Sequence, residues 1–309
     1  MAKRCQEHAE IRTGGGGRPI PVNLSAFEKF GLTILRDGEF KSLGLLPHQQ
    51  DAMLVVLYDV SFLDVLLANP AISCVVTSSI IAPHLPRELG VGTCPDPMAM
   101  FYRIHSYLLH QTTFYGEPFA TEISPTARVA RTAHVAEKNI RIGARSVVEA
   151  GAILYGGTLI GDDVVVRSGA VIGGEGFEPK TIGGRHFIVP HAGGVRVGNR
   201  VEILCNSHIA KCVFGGYTEV GEDTKIDVLV HISHNVEIGS FCEIAAGTIV
   251  SGSVSIGEKV WIGPGAVISS EVSIGSGAFV ALGSVISMNV PAGAMVAGNP
   301  GRIIKRGLT

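Results

Sequence analysis

From residue 220 onward every sixth position is Val or Ile: Val220, Ile226, Ile232, Ile238, Ile244, Val250, Ile256, Ile262, Ile268, Ile274, Val280 and Ile286. Gly follows every third of them, at Gly221, Gly239, Gly257 and Gly275. A period of six nested in eighteen fits neither a helix, with its period of 3.6, nor an ordinary strand, with its period of 2. It predicts a parallel β-helix whose coils have three short faces, with Val and Ile stacked along the axis.

The rhythm begins earlier. Ile142, Val148, Leu154, Ile160, Val166 and Ile172 form one run, and Val197, Ile203 and Ile209 continue it. Phe214 is expected to re-phase it onto Val220, and Ile123, Val129 and Val135 extend it upstream with a slip of one residue. The solenoid is therefore predicted from about Ile123 to about Met288. At roughly 4.8 Å per coil, eight or nine coils make a prism roughly 40 Å long. The Gly after each inward residue is expected to occupy a corner of positive φ. Cys242, four residues after Ile238, is expected to point inward.

The pattern also divides the chain. Residues 1–18 are polar, end in Gly14–Gly17, and read as a flexible tail. Residues 19–118 lack the hexad and read as a small α/β domain: a helix near Phe62–Leu67, a buried strand over Ile72–Thr77, and a helix opened by Pro97 with Phe101, Ile104, Tyr107 and Leu108 on one face. Residues 119–290 are the β-helix and 291–309 a cap and tail. Two breaks inside the β-helix, at Gly173–Gly194 and Lys211–Tyr217, should leave it as loops, usually on a binding face.

Composition narrows the classes. The chain has 309 residues, 46% of them hydrophobic, and a formal net charge of −2, which gives no global case for nucleic-acid binding. Its 40 glycines are what a corner-rich solenoid needs. No apolar run reaches membrane-spanning length and Met1–Arg18 lacks a signal-peptide stretch, so a cytoplasmic protein is expected. Cys5, Cys74, Cys94, Cys205, Cys212 and Cys242 form no CxxC or zinc spacing and read as reduced thiols.

Chemistry concentrates at His231-Ile232-Ser233-His234-Asn235. With Ile232 inward, both histidines lie outside the prism. One coil of eighteen residues beyond His234 is Gly252, whose bare backbone N–H should lie beside the imidazole. A base next to an unscreened amide suits acyl transfer: the base takes a proton from the attacking group and the amide stabilises the oxyanion. The alternative reading of these histidines is a solvated corner. Gly173-Gly174-Glu175-Gly176 lacks the strand–helix context of a dinucleotide loop. His186 and His191, in the same excursion, read as structural.

These motifs resemble the hexapeptide-repeat acyltransferases, and most closely the UDP-3-O-acylglucosamine N-acyltransferases of lipid A biosynthesis. The resemblance rests on His231-Ile232-Ser233-His234, Gly173-Gly174-Glu175-Gly176-Phe177, Arg200-Val201-Glu202-Ile203 and Ile226-Asp227, and covers about residues 60–290. It implies a mainly β, left-handed parallel β-helix with a small N-terminal α/β domain that contacts the nucleotide. It also implies a homotrimer with active sites between neighbouring prisms. By it, His234 is the general base, Asp227 orients it or the substrate, and the Gly252 amide forms the oxyanion hole. His231, Asn235, Gly176 and Phe177 then contact the acceptor, a nucleotide-linked amino sugar. Tyr58, Phe62 and Phe101 are equal candidates for core or for stacking on the base.

Three departures bear on the donor. A second functional His expected near Ile268–Glu271 is absent, with Glu271 in its place, and the chain ends at Thr309 without the family's C-terminal helical extension. The ending Ala297-Gly298-Asn299-Pro300-Gly301-Arg302 resembles that of sugar acetyltransferases that use coenzyme A. It implies Ala297, Gly298, Arg302, Lys305 and Arg306 as donor-binding residues, since phosphates need free amides and positive charge. The donor is then acyl-coenzyme A, or acyl carrier protein, as a co-substrate, with no tightly bound cofactor and no metal. The rival readings are a sugar O-acetyltransferase, which would use the same base and amide, a non-catalytic trimeric scaffold, and a zinc hydratase built on His208, His231 and His234, whose spacings do not fit that family.

Overall fold

The computed structural model describes residues 20–305. The expected tail 1–18, Cys5 and Arg306 lie outside the described residues. Three sheets run the length of a triangular prism, from Glu122–Ile123 to Val285–Ile286, and each strand pairs in parallel with the strand one coil away. Across the regular coils the register step is eighteen residues, as in Ile232↔Val250 and Val250↔Ile268. The period-six Val and Ile side chains from Ile142 to Ile286 form one continuous buried core. Burying each contributes roughly 1.5–3 kcal/mol, and stacking makes every coil depend on its neighbours.

A second inward position lies four residues after each Val or Ile and takes small side chains. Cys242 fills one and is fully buried. Buried hydroxyls fill others: Ser146 Oγ donates to Gly161 O (2.8 Å), Thr224 Oγ1 to Gly239 O (3.0 Å) and Thr248 Oγ1 to Gly263 O (3.2 Å). These bonds tie one coil to the corner carbonyl of the next and leave no buried hydroxyl unpaid in that slot. Cys242 Sγ points the same way, 3.1 Å from Gly257 O.

The glycines after the inward residues have a different cause from the one expected. Gly221, Gly239 and Gly257 are not at positive φ; that conformation falls two residues later, at Asp223, Phe241 and Lys259. The glycines are needed because the coils touch there. A Cβ on Gly239 would sit 2.7 Å from the backbone of Gly257 and Glu258. Any side chain would push the coils apart along the whole edge.

Residues Ser42–Leu43, Met53–Leu57, Ile72–Thr77 and Gly90–Thr93 form a parallel sheet to which Thr33–Arg36 adds an antiparallel edge. The helix Pro97–Gln111 packs on it; Asp96 caps it by accepting the Ala99 N–H at 3.0 Å. Phe101, Ile104 and Leu108 face the core as expected, and Tyr107 lies at its margin.

Both breaks in the hexad serve this domain. The first carries an antiparallel hairpin, Pro179–Ile182 with Arg185–Ile188, whose Ile182 and Phe187 pack against the domain core. The second inserts Val213 and Phe214 into the same core, with the Phe214 ring 5.5 Å from that of Phe101. Phe214 therefore does not re-phase the solenoid as an inward residue: it leaves the prism and plugs the neighbouring domain. At the far end, Pro291–Gly301 folds over the last coil, and Arg302–Lys305 returns antiparallel to Met295–Ala297.

His105 joins the two bodies. It is fully buried, with Nε2 2.7 Å from Pro190 O and Nδ1 2.7 Å from the Tyr115 hydroxyl. The carbonyl can only accept, so Nε2 carries the proton and Nδ1 accepts from Tyr115. Burial pulls the His105 pKa down to about 4. Burial likewise lowers the pKa of His48, His191, His208 and His231. These groups charge more readily in the unfolded chain, so stability is full above pH ~6.5 and is lost as pH falls toward the folded values. The melting temperature is expected to drop steadily between pH 6.5 and 4. His105 alone accounts for roughly 3 kcal/mol over that span. A flat melting profile across the range would contradict the buried neutral imidazoles.

Candidate functional site

His231 ends the strand His231–Ile232, and the corner Ser233–Val236 follows it. His234 sits on that corner with its ring fixed from every side. Nδ1 lies 3.2 Å from Asn235 Oδ1. That oxygen also accepts the Val213 N–H at 3.1 Å, and the Asn235 N–H donates to Thr218 Oγ1 at 3.0 Å. The Val213 donor fixes which amide atom of Asn235 faces the imidazole. Nδ1 of His234 must then carry a proton, so in the neutral ring the lone pair is on Nε2.

Two glycines form the walls. A Cβ on Gly252 would lie 2.6 Å from His234 Cε1 and 2.9 Å from Nε2. On the other side, a Cβ on Gly176 would lie 3.0 Å from His234 Cδ2 and 3.0 Å from His191 Nε2. The imidazole thus occupies a slot that only two bare backbones leave open. Among the described residues no hydrogen bond uses the Gly252 N–H. His191 backs Gly176: its Nδ1 donates to Val189 O at 2.8 Å, and its Nε2 accepts the Gly176 N–H at 3.2 Å. Its ring centroid is 5.5 Å from that of His234, edge to face. His191, read from sequence as structural, fixes the loop and also forms part of the wall; His186 bonds Thr181 within the exposed hairpin.

Other predicted residues fall elsewhere. Asp227 lies on the preceding corner, and its carboxylate accepts the Val228 N–H at 2.8 Å and the Ala246 N–H at 3.1 Å. Within one chain the group bonded to His234 Nδ1 is Asn235, and Asp227 braces two coils. Asn235 Oδ1 and N–H are engaged with protein groups, while its side-chain amide nitrogen makes no hydrogen bond among the described residues and the residue lines a cleft. Phe177 is 77% exposed beside Gly176. The His231 ring stacks parallel on His208, 5.2 Å away at 6°. Ala297, Gly298, Arg302 and Lys305 lie around the terminal turn, with Arg302 and Lys305 exposed. Gly298 is at φ 98 and its N–H donates to Ser284 Oγ at 3.2 Å. From the His234 level, three coils, or roughly 14 Å, lead to that end.

Two features were not foreseen. Glu178, from the first excursion, places Oε2 3.4 Å from His234 Nε2. A cleft of about 550 Å³ opens where the N-terminal domain meets the prism, lined by His48, Gln50, Tyr217, Asn235, Glu237 and Ser253 among others. Burial and then the neighbouring Glu219 raise the Glu237 pKa. Of the three aromatics in question, Phe101 is core. Tyr58 and Phe62 are 53% and 39% exposed, with rings 5.7 Å apart. The excursion was marked by the broken hexad, but no local signal showed that it folds back over the histidine.

The family model "Bacterial transferase hexapeptide (six repeats)" matches residues 139–174, 217–252 and 253–287. It agrees with the left-handed winding implied by the resemblance. The UDP-3-O-acylglucosamine N-acyltransferase of Caulobacter vibrioides is 41% identical over 109 residues, 35% of this chain and 30% of that protein. The enzyme of the same name from Pseudomonas syringae pv. tomato is 32% identical over 183 residues, 49% of this chain and 50% of that protein. The matches thus span half or less of these relatives' own lengths. A solved UDP-N-acetylglucosamine acyltransferase from Campylobacter jejuni is 24% identical, covers 59% of this chain and 73% of its own, and has a TM-score of 0.48. The chain carries transferase hexapeptide repeats and is similar to the N-acyltransferases of nucleotide-linked glucosamine. No helix among the described residues is long and apolar enough to cross a membrane.

Proposed function

We propose that the protein is an N-acyltransferase that moves an acyl group from a thioester to the amine of a nucleotide-linked amino sugar. The observation that carries this reading is the slot itself: an imidazole with Nδ1 held by Asn235 lies against the bare Cα of Gly252, whose N–H makes no hydrogen bond among the described residues. In the proposed reaction the acceptor amine attacks the thioester carbonyl while His234 Nε2 takes its proton. The Gly252 N–H stabilises the oxyanion, and the imidazolium then protonates the departing thiolate. The relatives' names supply the acceptor class. Tyr58 and Phe62, an exposed pair at the end of the strand Met53–Leu57, are the candidate platform for the nucleotide base. The cleft beside Glu237 suits sugar hydroxyls and an amine, and its negative charge disfavours a diphosphate. Ala297, Gly298, Arg302 and Lys305 are assigned to the phosphates of an acyl-coenzyme A donor, for which a narrow terminal turn with exposed cations is suited. A mass-spectrometric screen of UDP-amino sugars against acetyl-coenzyme A, 3-hydroxyacyl-coenzyme A and 3-hydroxyacyl carrier protein tests the reading. Acylation of a sugar hydroxyl instead of an amine would replace it with the O-acyltransferase alternative.

The protein is also proposed to work as a homotrimer. The outer ladder on the face bearing the histidines runs Ile153, Val171, His208, His231, Ile249, Val267, Val285. The matching ladder on another face runs Arg141, Leu159, Arg196, Glu219, Glu237. An apolar ladder with Ile249 44% exposed fits a surface covered by another prism, which would also enclose His231. Light scattering is expected to give three times 32.4 kDa. A stable monomer at micromolar concentration would remove the enclosed cleft.

A further inference from the structure

Glu178 opens the hairpin that folds back over the prism. Its main-chain carbonyl accepts the Val189 N–H at 3.0 Å, so its position is set by the strand pairing. Its side chain is mostly buried. One carboxylate oxygen, Oε1, lies 2.5 Å from Lys180 Nζ, whose ammonium in turn lies 5.9 Å from the centre of the Tyr102 ring. A structural ion pair accounts for that half. It does not account for Oε2, which is aimed at His234 Nε2 from 3.4 Å.

With Nδ1 of His234 committed as a donor to Asn235, the neutral ring presents a lone pair at Nε2. A lone-pair nitrogen and a carboxylate oxygen then face each other. While the ring is neutral both accept hydrogen bonds and neither donates, so a group that brings protons to both is the one that fits there. An ammonium brings three N–H donors and a positive charge. A hydroxyl brings one O–H and satisfies only one of the two acceptors. Leaving the other unpaired in a water-poor site is costly.

We propose that Glu178 is the docking carboxylate for the acceptor's ammonium group, and that the Glu178–His234 pair selects an amine acceptor over a hydroxyl. This rests on the acyl-transfer reading above and sharpens it. The acceptor arrives as R–NH3+ against Oε2. One proton leaves through the carboxylate to solvent, giving R–NH2. The C–N bond forms as His234 Nε2 takes the second proton, and the C–S bond breaks as that proton passes to the thiolate. The sum is R–NH3+ and thioester giving amide, thiol and one released proton.

The test is calorimetric binding, without donor, of a matched pair: UDP-3-O-acylglucosamine and the compound with a hydroxyl in place of the 2-amine. The full-length protein is compared with Glu178→Gln. Wild type is expected to bind the amine at least about 10-fold more tightly, the scale of a charge-assisted hydrogen bond. Glu178→Gln is expected to abolish most of that preference and to leave affinity for the hydroxyl compound within about 3-fold. Retained hydroxyl-compound binding also shows that the variant is folded. Equal weakening of both ligands, an unchanged preference, or no binding of the amine by wild type would each overturn the proposal. If the preference behaves as expected but no thioester donor supports turnover, the docking role stands and the acyl-transfer reading fails.

Discussion

Replacing His234 with Ala is expected to lower kcat by about 10²–10⁴-fold, the usual worth of a general base. The fold should survive. His234 sits outside the Val/Ile stack, on a corner whose backbone is held by the Ser253 N–H to His234 O bond at 3.0 Å and by Asn235. His231→Ala should cost less, because the His231 ring stacks on His208 and is not among the groups nearest Gly176 or Gly252. Circular dichroism and melting curves check the fold; steady-state kinetics with the acceptor found in the screen checks the ranking. A larger loss for His231→Ala than for His234→Ala would show that the base has been assigned to the wrong ring.

The second large effect is expected from Gly252→Ala, a change of one methyl group. Gly252 is not at positive φ, so its backbone accepts Ala without strain. The obstruction is local: the new Cβ would lie 2.6 Å from His234 Cε1, well inside contact distance. The ring cannot retreat, because Gly176 and His191 close the opposite side. The imidazole must tilt out of the slot, away from Asn235 Oδ1, and the methyl group screens the amide that would hold the oxyanion. Losing the base's alignment and one oxyanion donor together is expected to reduce kcat by at least about 10²-fold. Melting temperature should change little, since the methyl faces the site and not the core. Near-wild-type kcat in this variant would remove Gly252 from the mechanism.

These expectations differ in how far the amino-acid sequence alone supports them. The period of six is a local property: each Val or Ile must meet the residue eighteen positions on, and that fixes the parallel register, the three faces and the placement of His234 one coil below Gly252. Cys242 and the buried hydroxyls occupy the small inward slot by the same arithmetic. The corner glycines were legible as positions but not as causes, because contact between successive backbones is a matter of distance and not of φ. Asp227 and Asn235 were legible as polar residues near His234. Which of them braces a coil and which holds the imidazole depends on the Val213 N–H, delivered by an insertion whose path no periodicity constrains.

The sequence by itself determined the solenoid, its core and the imidazole one coil from a bare glycine, since a repeat with one fixed step carries its own geometry from coil to coil. Only the tertiary structure decided what covers that imidazole. Phe214 left the repeat to plug the N-terminal domain, and the Pro179–Ile188 hairpin folded back to bring Glu178 to His234. Those placements come from packing between segments far apart in the chain, where no step length relates one residue to the next.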